Sequence, residues 1–277
     1  MTRIAHLTDL HFGATDPAVV DALIRALNDD PPDLIVISGD LTQAARRGEF
    51  RAARHFMQQC PVHVLSVPGN HDITPYRLDE RFFDPYRRWR DEISIETEPS
   101  WQDETVAVQG LNTARRAGMH LDWSRGRVTK PRLAALISRL DQFDESLLRI
   151  VVAHHPLVPP DEAPDAQIVG GAARALAAYA THGVALVLSG HLHRSYAHLV
   201  AAAPTGPLIL QGGSATSTRL RGEPNAYNRL VINSDGQTCI EGHSWDAGRW
   251  RVASRQDVLL KSPRLIHGIT PPNTPAP

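Results

Sequence analysis

Cysteine is nearly absent: Cys60 and Cys239 are the only two in 277 residues. Two thiols make no disulfide framework, so a stapled secreted scaffold is excluded and a reducing compartment is expected, with simple packing as the role of both. Net charge is nearly absent too, with 29 Lys and Arg against 30 Asp and Glu. No global field of one sign recruits a polyanion or an anionic membrane surface, so long nucleic acid is not an expected partner. No apolar run approaches the roughly 18 residues that cross a bilayer, so no membrane span is expected. The start of the chain, Met1 to Asp9, enters a strand-like run at once and lacks the charged-then-apolar layout of a leader. The expectation is a soluble, cytoplasmic protein. Internal repeats and linker-like breaks are lacking as well, up to the proline-rich Thr270–Pro277. Residues 1–269 are therefore read as one domain and residues 270–277 as a disordered tail.

What the sequence does have is 14 histidines, several beside acids at the ends of apolar runs. Ile4 to Leu7, Asp33 to Ser38 and Val62 to Val67 read as buried strands. Between them lie helical patterns at Pro17 to Asn28, opened by Asp16-Pro17, and at Arg47 to Gln59. A β-α-β-α-β opening predicts a mainly parallel sheet. Arg77 to Glu92 is expected to be a surface helix, and Thr113 to Lys130 a loop carrying several arginines. Further strands are expected at Glu104 to Leu111, Leu147 to Ala153 and Val184 to Leu188, with helices at Pro131 to Leu140 and Gly170 to Thr181. Beyond residue 193 the pattern turns to strands, at Tyr196 to Val200, Pro207 to Leu210, Tyr227 to Ile232, Thr238 to His243 and Trp250 to Val252. The expected fold class is α/β, two packed sheets with helices outside.

Five apolar runs end in groups able to bind a metal: Asp9 and His11, Asp40, Asn70 and His71, His154 and His155, His191 and His193. If the strands share one sheet edge, these side chains converge there. Imidazole with carboxylate suits divalent zinc, iron, manganese, cobalt or nickel, and the absence of Cys from the set argues against a thiolate zinc site. In Asp-x-His and His-x-His, residues i and i+2 of an extended segment point the same way and can grip one ion or two neighbours.

Asp9-x-His11, Gly39-Asp40, Gly69-Asn70-His71-Asp72, His154 and Gly190-His191-x-His193 together resemble the signature of the calcineurin-like metallophosphoesterases. Gly39-Asp-Leu-Thr42 followed by Gly48-Glu49-Phe50 is similar to the second motif of bacterial class III cyclic-nucleotide phosphodiesterases and related glycerophosphodiesterases. The resemblance implies a four-layer α/β-β/α sandwich around two divalent metal ions. It assigns Asp9, His11 and His193 to the first ion, and Asn70, His154 and His191 to the second. Asp40 would bridge them, with a hydroxide held between the metals to attack phosphorus. His71 would be the general acid over the substrate and Asp72 its orienting partner. His155 is expected to support the ligands or the fold, and His6 to be no ligand.

Departures narrow the substrate. The ligand tyrosine of purple acid phosphatases is replaced by Gln43, and Gln43-Ala44-Ala45 does not match the Asp-Arg-Gly of protein phosphatases. Lipid A-type diphosphatases carry arginine where His71 stands. The resulting expectation is a phosphodiesterase for cyclic nucleotides or glycerophosphodiesters. The alternatives are a nuclease or phosphomonoesterase of the same family, or a metal-binding scaffold without turnover. Arg115 and Arg116, and Arg219 and Arg221 in the small-residue loop 212–222, are candidates for substrate phosphate contacts. A homo-oligomer is a further expectation.

Overall fold

A computed structural model describes residues 1–116, 124–161, 163–199, 206–220 and 222–260. The tail at 270–277, the last part of the 1–269 domain and Arg221 lie outside the described residues. Strands β1 (Thr2–Leu7), β2 (Leu34–Ile37) and β3 (Val64–Ser66) pair in parallel, linked by helices α1 (Pro17–Asp29) and α2 (Arg47–Gln58). Asp16 caps α1 by accepting the Ala18 N–H, and Pro17 follows it, where a missing N–H costs nothing. Two short helices, α3 (Leu78–Phe83) and α4 (Arg87–Glu92), lead to β4 (Ser100–Gln102) and β5 (Val106–Leu111). Then come α5 (Lys130–Leu140), β6 (Leu148–Ala153), α6 (Ala172–Thr181) and β7 (Val184–Ser189). The last strands are β8 (Tyr196–Leu199), β9 (Leu208–Gln211), β10 (Ala226–Ile232), β11 (Gln237–Asp246) and β12 (Arg249–Leu259).

Two six-stranded mixed sheets result, ordered β12-β11-β10-β1-β2-β3 and β4-β5-β6-β7-β9-β8. Strand alternation sorts the apolar residues into three cores. Ile4, Leu34 and Val36 of the first sheet meet Val108, Ile150 and Leu188 of the second in a central core. Their neighbours Leu7, Ile35 and Ile37 face outward onto Leu23, Leu27, Phe50 and Phe56 of α1 and α2. On the far side Val151, Ala153 and Val187 pack on Leu133, Leu136, Ala175 and Tyr179 of α5 and α6. Helix, sheet, sheet and helix thus form four layers, each interface closed by the period-2 alternation of its strands.

Three elements differ from the sequence expectation. The Arg77 to Glu92 helix is broken in two, because Pro85 lacks an N–H and pushes Asp84 out of helical geometry (φ -151°, ψ 68°). β12 runs far beyond Trp250 to Val252, since antiparallel pairing along β11, turned at Ala247-Gly248, holds a polar strand exposed along most of its length. β4, with no apolar run of its own, exists through pairing with β5. Both cysteines are free. Among the described residues no helix is long and apolar enough to cross a membrane.

Candidate metal centre

The expected convergence takes place across two sheets, not along one edge. Asp9, Asp40 and Asn70 follow β1, β2 and β3 of the first sheet, whereas His154 and His191 follow β6 and β7 of the second. Pairing of the first two segments continues past their strands, through Asp9 N–H to Gly39 O at 3.1 Å and His11 N–H to Asp40 O at 3.0 Å. The sheets are joined at the site by the His191 N–H, which donates to Asp9 Oδ2 at 2.9 Å, and by His154 Nδ1, 2.8 Å from Ser38 O. Asp9, His11, Asp40, His191 and His193 all have positive φ, between 52° and 81°. Non-glycine residues rarely adopt that conformation, and it collects where function over-determines the backbone.

Two donor groups share Asp40. In the first, Asp9 Oδ1 lies 3.5 Å from His11 Nε2 and 3.4 Å from His193 Nε2, and the two nitrogens stand 3.3 Å apart. In the second, His154 Nε2 is 3.2 Å from Asp40 Oδ2 and 3.2 Å from Asn70 Oδ1. Asp40 Oδ2 is also 3.7 Å from His11 Nε2, which places this carboxylate between the groups. Asp9 Oδ1 is buried and makes no hydrogen bond. A buried carboxylate oxygen without a donor, facing two imidazole nitrogens, fits a divalent cation that draws on both. The ring orientations support that fit. His11 Nδ1 faces Thr42 O at 3.2 Å and His154 Nδ1 faces Ser38 O at 2.8 Å. A carbonyl only accepts, so each Nδ1 carries the hydrogen and each Nε2 lone pair turns to the site.

Electrostatics agree. Burial pushes the carboxyls of Asp9 and Asp40 up, yet the surrounding histidines outweigh it and hold both below the ordinary carboxylate range. Burial pulls His154 down, but the Asp40 carboxylate outweighs it and raises the imidazole to about 9. His191 is drawn down to about 4 by burial and by His154.

His71 is half-buried, edge-on to His11 at 4.8 Å between ring centroids, and its N–H donates to Asp40 Oδ1 at 2.8 Å. Its Nδ1 lies 2.6 Å from Gln43 O. Asp72 takes a different place from the expected one against His71. Its carboxylate accepts from Leu41 N–H, Thr42 N–H and Gly69 N–H at 3.2, 3.0 and 2.9 Å, tying the second motif to the third. His155 lies within reach of His154 and His191, but its nitrogens face Thr113 Oγ1 and Ser124 O, both at 2.7 Å. His6 is buried against Ser38 Oγ at 2.9 Å. A cavity of about 410 Å³ opens beside Asn70 and His71, with Gln43, Arg46, Tyr76 and Arg81 in its wall. Arg219 reaches Gln43 Oε1 at 3.4 Å, whereas Arg115 and Arg116 line a different cleft. Thr8, which donates to Asp9 Oδ2 at 2.7 Å, escaped the sequence reading, as did the carbonyls of Ser38, Thr42 and Gln43. A carbonyl partner leaves no mark on residue type; only Thr8, adjacent to Asp9, was open to inspection.

The family model of calcineurin-like phosphoesterases matches residues 2–195. A probable cyclic nucleotide phosphodiesterase of Synechococcus is 25% identical over 203 residues, 70% of this chain and 74% of that protein. A probable glycerophosphodiester phosphodiesterase of Arcobacter nitrofigilis is 25% identical over 183 residues, 64% of this chain and 63% of its own length. Among solved structures, a purple acid phosphatase from yellow lupin superposes with a TM-score of 0.64 at 14% identity, covering 100% of this chain and 56% of the other. TT1561 of Thermus thermophilus superposes with a TM-score of 0.52 at 15% identity, over 92% and 98% of the two chains. At such identities the structural likeness concerns the fold.

Proposed function

The chain belongs to the calcineurin-like phosphoesterase family and is a metal-dependent phosphoester hydrolase, and from that premise we propose that it cleaves small phosphodiesters of the cyclic-nucleotide or glycerophosphodiester kind, with His71 as general acid. Both kinds are named for relatives at 25% identity. The observation that carries the reading is the setting of His71: half-buried at the wall of the cavity, with Nδ1 against Gln43 O at 2.6 Å, which leaves Nε2 as the nitrogen to meet a leaving group. When bound, two divalent ions lower the pKa of an attacking water and neutralise phosphoryl charge. Asp9, His11 and His193 would hold one, and Asn70, His154 and His191 the other, with Asp40 shared. Manganese, iron, zinc and cobalt all suit this donor set.

The water oxygen adds to phosphorus, one P–O ester bond breaks, and its oxygen leaves as an alcohol with the proton from His71 Nε2. The proton lost by the water passes to solvent. His71 can give that proton as imidazolium, whose second N–H is held by the Gln43 carbonyl. The Asp40 carboxylate, accepting from the His71 N–H, fixes the acid relative to the metal ligands.

Manganese-loaded protein assayed with bis-p-nitrophenyl phosphate beside the monoester tests the reading. Faster cleavage of the diester is expected, and no diester cleavage with any of the four metals sinks it. His71→Ala should keep its metal content and lose roughly 10²- to 10⁴-fold in kcat, more for poor leaving groups than for p-nitrophenolate. Equal losses for good and poor leaving groups would remove His71 from the acid role.

A further inference from the structure

Four guanidinium-bearing side chains, Arg115, Arg116, Arg127 and Arg132, line a second cleft of about 370 Å³, with Tyr86 and Thr129 in the same wall. None of its described lining residues is acidic. The carboxylates on neighbouring segments are engaged elsewhere: Glu98 accepts from Asn112 N–H at 3.1 Å and Arg139 at 3.2 Å, Glu80 from Arg88 at 2.7 Å, and Asp84 from Arg90. Among the described residues the cleft's cations meet neutral acceptors. Arg132 donates to Asn112 O, and Arg116 to Phe82 O at 3.3 Å. Thr129 caps α5, so the positive end of an 11-residue helix adds to the same field.

Four like charges with no counter-charge among the described lining residues raise the local potential until an anion lowers it. Planar guanidinium forks match tetrahedral oxyanions, and a dianion gains most from several of them. We propose that this cleft is a binding site for a phosphate group, separate from the metal centre. The two sites share a wall: Arg81 lines the metal-side cavity and donates to the carbonyls of Arg116 at 2.8 Å and Arg115 at 3.4 Å. The phosphate belongs either to a free phosphomonoester or to a second phosphate on the diester.

Titration calorimetry of manganese-loaded protein with inorganic phosphate tests the site. Two classes of binding are expected. Chelating the metal removes one, and Arg127→Glu weakens the other roughly tenfold or more, the loss of a charge-assisted hydrogen bond. Arg127 has an exposed side chain, so its reversal leaves the core intact, and Arg116→Glu provides a second, also exposed, position. A single class that vanishes on chelation overturns the proposal, as does unaltered binding in both variants. Kinetics separate the two sources. If the cleft holds a second phosphate, Arg127→Glu raises KM for a diester with a terminal phosphate and leaves that for bis-p-nitrophenyl phosphate unchanged. If it holds the free monoester, the variant alters only inhibition by added monoester. Absence of diester hydrolysis would defeat the proposed function while leaving the phosphate titration interpretable.

Discussion

Asp9, His11, Asp40, His191 and His193 each hold φ in the left-handed region, where side chains other than glycine pay roughly 1–3 kcal/mol. That cost is sustained by the hydrogen bonds that pin these loops to one another, and the same bonds aim the donors inward. Tight contact accompanies the strain. A Cβ on Gly69 would stand 2.0 Å from Asp40 Oδ1 and 2.5 Å from Asp40 N, so the carboxylate shared by both donor groups would have to move, backbone included. Gly69→Ala is therefore expected to retain far-UV circular dichroism while losing bound metal, measured by plasma emission, and with it turnover. Full metal content and wild-type kcat would show that Asp40 has more room than the packing allows. The donor residues themselves were legible because each is a metal-capable side chain at the end of an apolar run. Strain and carbonyl contacts were not, since both are set by backbone geometry that residue type does not encode.

At the scale of elements, the site is a set of strand-end loops, and Asp72 fastens two of them. Its buried carboxylate takes three backbone N–H groups and the Thr42 hydroxyl, joining the loop after β2 to the turn after β3. Removing it strands those donors, each costing about 1–3 kcal/mol when buried and unpaired. Asp72→Ala should thus lose on the order of 3 kcal/mol or more of stability in chemical denaturation and bind metal more weakly, because Asp40 and Asn70 drift apart. A fall in kcat with stability and metal affinity intact would instead restore Asp72 to the role of a His71 partner. Adjacency in sequence suggested that partnership, but in the short 3-10 turn Asn70–Asp72 successive side chains point in different directions. Strand legibility followed the same logic. The β-branched runs of β2, β6 and β7 declare themselves, being buried throughout. β4 and β12 owe their strand form to a neighbour's ladder, and neither carries a periodic apolar pattern.

For the whole molecule, near-zero net charge conceals a concentrated arrangement: buried carboxylates and imidazoles gathered where two sheets meet. Without a cation, protons take part of its place. Burial pulls His154 down, but Asp40 outweighs it and lifts the imidazole from 6.5 to about 9, and His11 is raised likewise by Asp9 and Asp40 against burial. A group raised on folding stabilises fully below its unfolded pKa, and that contribution disappears as pH rises through the folded value. Metal-stripped protein should therefore lose thermal stability between pH 6.5 and 9. Metal binding runs the other way in the same window, because a coordinating imidazole must first give up its proton. Asp9 and Asp40, held low, and His191, at about 4, change charge outside this window and leave its sign unaltered. The gap in Tm between manganese-loaded and chelated protein should widen across pH 6.5, 7.5 and 8.5, with metal affinity rising by up to about tenfold, or ~1.4 kcal/mol, per unit. Calorimetry at pH 7 in buffers of different ionisation enthalpy should register proton release on metal binding. A constant gap with no released proton would mean that the histidines are already neutral in the stripped protein, and that Asp40 is held down by something other than His154.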